Sequence, residues 1–207
     1  MAPGEAETAA EIVGIYRRHA AAYAAQRGRT LFERGWLDRF AGLLPPRGSV
    51  LDIGCGFGEP IARDLIGRGF AVTGLDTAAP LLALARAAFP DHAWIEGDMR
   101  AMALGRRFDG LVAWDSFFHL AHDDQRAMFA RFAAHAAPGA ALLFTSGPAH
   151  GIALGTFEGE RLFHASLDPA EYRALLGAHG FAVAAHVAED PDGGGHTVWL
   201  ARRAAAR

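Results

Sequence analysis

The chain has 207 residues, a net charge of −3, and is 51% hydrophobic and 21% charged. That suits one compact domain with ample core material and excludes a disordered chain. No basic tail or stripe marks a nucleic-acid binder. All 20 Lys+Arg positions are arginine, and Cys55 is the single cysteine. Lysine Schiff-base chemistry, an internal disulfide and a cysteine-rich metal site are therefore excluded.

Met1 to Ala10 carries Glu5 and Glu7 and no long apolar run, so it does not read as a signal peptide. No stretch approaches the ~20 apolar residues of a membrane span, and a soluble, cytoplasmic protein is expected. From Ala6 to Leu44 the chain reads as helical, with Ile12, Ile15, Tyr16, His19 and Tyr23 at helical spacing. Gly28 interrupts it, and a second helix is predicted from about Thr30 to Leu44. Pro45-Pro46-Arg47-Gly48 then breaks the chain. Beyond it, short apolar runs alternate with Ala/Leu-rich helical patterns. Strands are predicted at Ser49–Ile53, Ala71–Leu75, Ala93–Ile95, Gly110–Trp114, Ala140–Thr145, Ala182–Val187 and His196–Ala201. Helices are predicted at about Glu59–Arg68, Pro80–Ala88, Asp123–Ala136 and Pro169–His179. The alternation implies an α/β fold with a parallel sheet covered on both faces. One connection is long, Gly147 to Leu167, and loops of that length are usually functional; its segment 157–164 reads as strand or hairpin.

The strongest motif is Val50-Leu51-Asp52-Ile53-Gly54-Cys55-Gly56-Phe57-Gly58. A buried strand runs into a glycine-rich turn, where the backbone can approach a ligand closely. Such ligands sit outside the strand C-termini, at the switch point of the sheet. A dinucleotide fingerprint needs a third glycine at position 59, but Glu59 stands there and would repel a pyrophosphate. That disfavours an NAD-dependent oxidoreductase. Asp76 lies 22 residues after Gly54, the spacing of a ribose-binding carboxylate. Glu96-Gly97-Asp98-Met99 follows the third strand, and Phe108-Asp109-Gly110-Leu111-Val112-Ala113-Trp114-Asp115 forms the fourth strand and its end.

Together these motifs resemble the class I S-adenosylmethionine-dependent methyltransferases, over roughly Tyr16 to Arg202. The resemblance implies a Rossmann-like fold: a seven-stranded, mostly parallel sheet with the last strand antiparallel. It also implies S-adenosylmethionine as cofactor. The loop of Asp52, Gly54, Cys55 and Gly56 would then accommodate the methionine part, with the Cys55 thiol as inert packing. Asp76 with Thr77 would hold the ribose, Asp98 the adenine amino group, and Met99 would pack on the ring. Trp114 and Asp115 would face the reacting methyl group. The N-terminal helices resemble a lid that brings Tyr23 and Arg27 to the cofactor. Each residue also has a structural reading: Asp52 and Asp98 as turn caps, Asp76 as a helix cap, Tyr23 as packing, Arg27 as a solvated side chain. Asp109 reads as structural.

In-line methyl transfer needs an aligned nucleophile and a dry site. An oxygen nucleophile also wants a base, and histidine fits best. His119, just past the fourth strand, is the first candidate, although it could equally cap a helix or pack in the core. His164 and Glu158, in the long connection, follow; His150 and His196 are weaker. The turn 189–196 reads as a structural hairpin. His119, His122 and Asp123 have spacing compatible with a metal, but the acids sit where helix N-terminal residues belong, and no metal is expected. The chain is expected to be one methyltransferase domain over 1–207: a helical lid (1–45), a cofactor-binding core (46–146), a substrate-covering insertion (147–168) and a C-terminal helix and strand pair (169–207). The expected reaction is methyl transfer to an O or N nucleophile of a small molecule by a monomer or homodimer. No nucleic-acid or membrane partner is expected. A non-catalytic, cofactor-binding regulatory protein is the alternative.

Overall fold

The computed structural model describes residues 4–205. Its centre is a seven-stranded sheet. In chain order the strands are β1 (Ser49–Ile53), β2 (Ala71–Asp76), β3 (Ala93–Glu96), β4 (Phe108–Ala113), β5 (Ala136–Ser146), then β8 (Phe181–Asp190) and β9 (His196–Arg203). Their spatial order is β3-β2-β1-β4-β5-β9-β8. The first five pair in parallel, and β9 inserts antiparallel to both β5 and β8. The reversal between β1–β2 and β1–β4 opens the crevice that such sheets use for ligands.

Strand alternation builds two cores. Leu51, Leu111, Leu142 and Trp199 point to one face, with Phe129, Phe132 and Tyr172. Their neighbours Val50, Val112, Leu143 and Leu200 point to the other, with Trp36, Leu37 and Phe40. The central strands are apolar on both sides because helices cover both faces: α4 (Ile61–Gly67), α5 (Ala79–Ala88), α6 (His122–His135) and α7 (Pro169–Ala178). Asp109 has the structural role expected of it: its Oδ2 accepts hydrogen bonds from Ser49 N (2.8 Å) and Ser49 Oγ (2.9 Å), clamping the starts of β1 and β4.

Several boundaries differ from expectation, and β5 starts at Ala136 rather than Ala140. The N-terminal helix breaks at His19 into α1 (Glu5–Arg18) and α2 (Ala20–Gln26), not only at Gly28. The His19 ring there reaches Glu160, Nε2 to Oε1 2.5 Å, a tertiary contact that spacing cannot show. The third helix, α3 (Arg34–Ala41), begins four residues after Thr30, and α4 begins at Ile61 rather than Glu59. The long connection is a hairpin, β6 (Gly151–Phe157) with β7 (Glu160–Ser166), forming a second, two-stranded sheet. Its turn residues Glu158 (φ 49°) and Gly159 (φ 80°) match the two-residue turn that follows strand twist. Ile12 and Ile15 of α1 pack on Phe163 and Ala165 of β7, so hairpin and N-terminal helices form one cover.

Candidate active site

The glycine-rich loop leaves β1 with Gly54 at φ 76° and Gly56 at φ 55°, both in the region that favours glycine. A Cβ on Gly54 would lie 2.2 Å from Ser116 Cβ, so the loop passes directly under the end of β4. Gly54 N donates to Leu75 O (2.7 Å), and Gly56 N donates to Asp76 Oδ2 (2.8 Å). Ala78 N donates to Asp76 Oδ1 (2.8 Å). Asp76 thus ties loop to second strand, and burial still pushes its carboxyl up against these hydrogen bonds.

One cleft at the C-terminal edge of the sheet collects Gly54, Gly56, Asp76, Thr77, Asp98, Met99, Asp115 and His119, with Tyr16 and Tyr23 from the N-terminal helices. A smaller cavity adjoins it, lined by Tyr23, Arg27, Asp52, Cys55, Trp114 and Asp115. Buried polar atoms gather around it. The Asp52 carboxylate makes no side-chain hydrogen bond among the described residues, and burial pushes it up to about 7, with the Asp76 charge adding. Trp114 Nε1 and Glu33 Oε2 are buried without a partner of hydrogen-bonding geometry. Glu33, fully buried, is paired with Arg27 through its other oxygen. Burial holds the Tyr23 phenol up at about 12. The Cys55 thiol is buried, pushed well up by burial, and donates to Gly56 O at 3.7 Å, a setting that disfavours the thiolate.

At the third strand, Arg100 already grips Asp98. Its Nη2 lies 2.6 Å from Oδ2, its backbone N 2.8 Å from Oδ1, and it also reaches Asp124 at 3.3 Å. Burial raises the Asp98 carboxyl, but the Arg100 hydrogen bonds outweigh it and the net direction is downward.

At the end of β4, Asp115 adopts φ 49°, and its N donates to Thr145 Oγ1 (2.9 Å). That left-handed turn aims its carboxylate into both cavities. Burial raises it, while His196, with Nε2 3.2 Å from Oδ1, and Arg27 pull it back. Ser116 Oγ donates to Ile53 O (2.6 Å), locking β4's end to β1's. His119 is buried with Nδ1 2.8 Å from Phe163 O and Nε2 3.1 Å from Tyr16 Oη. Burial, with the neighbouring His164 charge, lowers it to about 3 despite the Phe163 carbonyl. A carbonyl only accepts, so Nδ1 carries the proton and Nε2 accepts from Tyr16.

The cofactor-side candidates thus converge, and so do His119 and His164, whose rings lie 4.8 Å apart. Glu158 does not. It sits exposed in the hairpin turn, accepting from Gln26 Nε2 at 2.5 Å, because the turn faces α2 rather than the cleft. His150 is exposed and stacks on His122 at 4.4 Å. His122 Nε2 faces Ser166 O (3.0 Å) and its Nδ1 faces Glu5 (2.9 Å). Among the described residues no His/Cys/Asp/Glu group is disposed to hold a metal, and no helix is long and apolar enough to cross a membrane. The turn 189–196 is a hairpin connection as expected, anchored by Trp36 Nε1 donating to Asp190 Oδ2 (2.7 Å). It also delivers His196 to Asp115, which local reading underrated. Tyr16, Glu33 and Ser116 were not singled out either. Ser116 had a signal, its place beside Asp115; Tyr16 and Glu33 depend on contacts between distant segments.

Residues 50–139 match the family model described as a methyltransferase domain. That segment, from β1 to the start of β5, is similar to S-adenosylmethionine-dependent methyltransferases. Among curated relatives, a dTDP-3-amino-3,6-dideoxy-alpha-D-glucopyranose N,N-dimethyltransferase of Streptomyces fradiae is 41% identical over 96 residues, 45% of this chain and 37% of the relative. A dTDP-3-amino-3,4,6-trideoxy-alpha-D-glucopyranose N,N-dimethyltransferase of Streptomyces venezuelae is 35% identical over 98 residues, 46% of this chain and 40% of the relative. The matches therefore span less than half the length of these relatives. Among solved structures, an amino pentose methyltransferase from Micromonospora echinaspora with S-adenosylmethionine bound is 23% identical, covering 90% of this chain and 96% of that one, TM-score 0.68. A 1,6-didemethyltoxoflavin-N1-methyltransferase of Burkholderia thailandensis is 19% identical, covering 99% and 92%, TM-score 0.73. At those identities the likeness is one of fold.

Proposed function

We propose that this chain methylates an amine nitrogen of a small molecule with S-adenosylmethionine. The observation that carries the reading is the single cleft joining Asp76, Asp98 and Met99 at one end to Asp115 and His119 at the other. The buried polar atoms fit the group. Around the smaller cavity, Asp52 offers a carboxyl with no side-chain partner among the described residues, Trp114 an unmatched donor, and Arg27, paired with Glu33, a cation. That set complements an ammonium and a carboxylate on one carbon, the amino-acid end of the cofactor. Asp76 keeps spare lone pairs for two ribose hydroxyls. Asp98, gripped by Arg100, keeps fewer for the adenine amino group, with Met99 packing beside it.

When bound, the cofactor supplies an electrophilic methyl group on a cationic sulfur. The chain's own residues do the rest. Asp115, fixed by its turn and by Thr145, places a carboxylate where positive charge shifts onto the acceptor. Neutral His119, its one Nε2 lone pair taken by Tyr16, lines that end of the cleft and does not serve as a base. The α1–β7 cover keeps water out. A neutral amine carries its own lone pair and needs no strong base, whereas a hydroxyl does. An imidazole held near 3 takes a proton poorly at neutral pH, and that favours nitrogen over oxygen. The N-methyltransferase names of the curated relatives point the same way.

The test is mass spectrometry of amino sugars and their hydroxyl analogues incubated with the protein and S-adenosylmethionine. Methylated amines and untouched alcohols are expected. Calorimetric binding of S-adenosylhomocysteine with no transfer to amine, hydroxyl or thiol acceptors would establish a regulatory binder instead. Binding of NAD in its place would end the reading.

A further inference from the structure

A cavity of about 330 Å³, with Phe118, Ser146, His164 and His196 in its walls, shares no lining residue with the cleft. One pair of polar side chains spans the wall between the two spaces. Asp115 lines the cleft, and its Oδ1 is buried with no partner of hydrogen-bonding geometry among the described residues. His196 lines the cavity and brings Nε2 to 3.2 Å from that oxygen. The ring is held from two sides. It stacks on Phe118 at 26° with centres 5.9 Å apart, and it meets Trp114 edge-on at 6.5 Å. Gly194 (φ 71°) and Gly195 (φ 79°) turn the chain so that β9 opens on this residue. The ring is only partly buried, so it reaches solvent on the cavity side.

Resting on the N-methylation reading above, we propose that Asp115 and His196 form a proton exit. Asp115 takes the proton that the acceptor amine must lose, and His196 passes it to solvent in the second cavity. An alkylamine arrives at neutral pH as an ammonium, with an ordinary value of about 10, as for lysine. An ammonium has no lone pair to give. Its N–H bond must break first, with the electron pair staying on nitrogen and the proton joining a base. His119 is barred from that task, because Tyr16 holds its one free ring nitrogen. Asp115 is the carboxylate at the same end of the cleft. Burial raises its carboxyl above the usual range although His196 and Arg27 pull it back, which narrows the gap to the ammonium. Charge balances at each step. Ammonium and carboxylate become amine and carboxylic acid. The acid O–H then breaks toward His196 Nε2, which restores the carboxylate and leaves an imidazolium. The imidazolium returns one proton to solvent.

The other charged and titratable groups around the pair do not compete for that proton. Arg27 faces Asp115 but is fixed on Glu33. The Tyr16 and Tyr23 phenols also face it, and burial raises both far above neutral pH, so they stay protonated. His164 faces His196, and burial with the His196 charge holds it below its usual range, a weaker base than an ordinary imidazole. Asp115 would thus be a catalytic residue and His196 a positioning residue acting through it.

The test uses His196→Gln and His196→Ala, with S-adenosylmethionine and 3-amino-3,6-dideoxyglucose, the sugar in one relative's name. Both variants should lose at least about tenfold in kcat at pH 7 with S-adenosylhomocysteine affinity unchanged. The deficit should shrink as pH rises toward about 10, where the amine arrives neutral. Imidazole in solution should restore His196→Ala, while 1,2,4-triazole, nearly the same size and a far weaker base, should not. An unimpaired His196→Gln, a deficit that ignores pH, equal rescue by triazole, or loss of S-adenosylhomocysteine affinity in both variants overturns the proton exit and leaves N-methylation standing. A wild-type protein that binds S-adenosylhomocysteine but leaves the amine unmethylated overturns the exit together with the nitrogen reading. Absence of that binding overturns the methyltransferase reading itself.

Discussion

Tyr16 and His119 lie 103 residues apart and share a 3.1 Å hydrogen bond that satisfies only one proton arrangement. Because Phe163 O accepts from His119 Nδ1, the Nε2 lone pair must receive the Tyr16 hydroxyl proton. With the Nδ1 bond to Phe163 it joins α1, the end of β4 and β7, and so couples the cover over the cleft to a residue that lines it.

Tyr16→Phe leaves a buried imidazole lone pair unpaired. The variant is expected to be less stable by about 1–3 kcal/mol, read from its urea midpoint. Turnover should fall while S-adenosylhomocysteine affinity holds, because His119 loses its anchor and the cofactor cradle does not. A variant as stable and as active as wild type would refute the coupling.

His119 also has a pH signature. Folding lowers it to about 3, so the native state prefers the neutral ring. Its contribution to stability is complete above the unfolded value near 6.5 and is lost as pH falls toward 3. His119→Gln is therefore expected to flatten the acid side of the stability profile in that window. The kcat profile should show no His119 limb between about pH 5 and 8.

Asp52 acts in the opposite sense. Its carboxyl is pushed up to about 7, so its stabilising contribution is present below the unfolded value near 3.8 and is lost as pH rises through 7. Asp52→Asn should melt higher than wild type at pH 8, with the gap closing at pH 5. The same variant should bind S-adenosylhomocysteine weakly, a stability–function trade-off. Wild-type binding at pH 6 should release roughly one proton, detected by calorimetry in buffers of different ionisation enthalpy. No release would mean that Asp52 does not meet the ammonium.

Asp76→Ala removes the acceptor for Gly56 N and Ala78 N together. A stability loss of about 2 kcal/mol is expected, along with loss of S-adenosylhomocysteine binding. Asp76→Asn keeps one acceptor oxygen and should fall between. Unchanged affinity in the alanine variant would refute a ribose role.

Local chemistry made the fold and half of the site readable. Glycines at 54, 56 and 58 and an acid at 76 are constraints of backbone freedom and spacing, which a linear pattern preserves. The hairpin at 151–166 was legible as strand or hairpin, but its facing was not. Glu158 looked like a candidate base until the turn carried it to Gln26. His196 looked like a turn residue until β9, inserted between β5 and β8, brought it to Asp115. Strand insertion order is set by packing across the whole sheet and leaves no local trace.

By itself the sequence determined the alternating architecture, the glycine-rich loop and the carboxylates that follow successive strands, because burial periodicity and turn chemistry act within a few residues. Only the tertiary structure decided the protonation of His119, the isolation of Asp52 and the meeting of His196 with Asp115. Those depend on desolvation and on partners a hundred residues away, such as Tyr16 for His119, and neither is a property of any short stretch of chain.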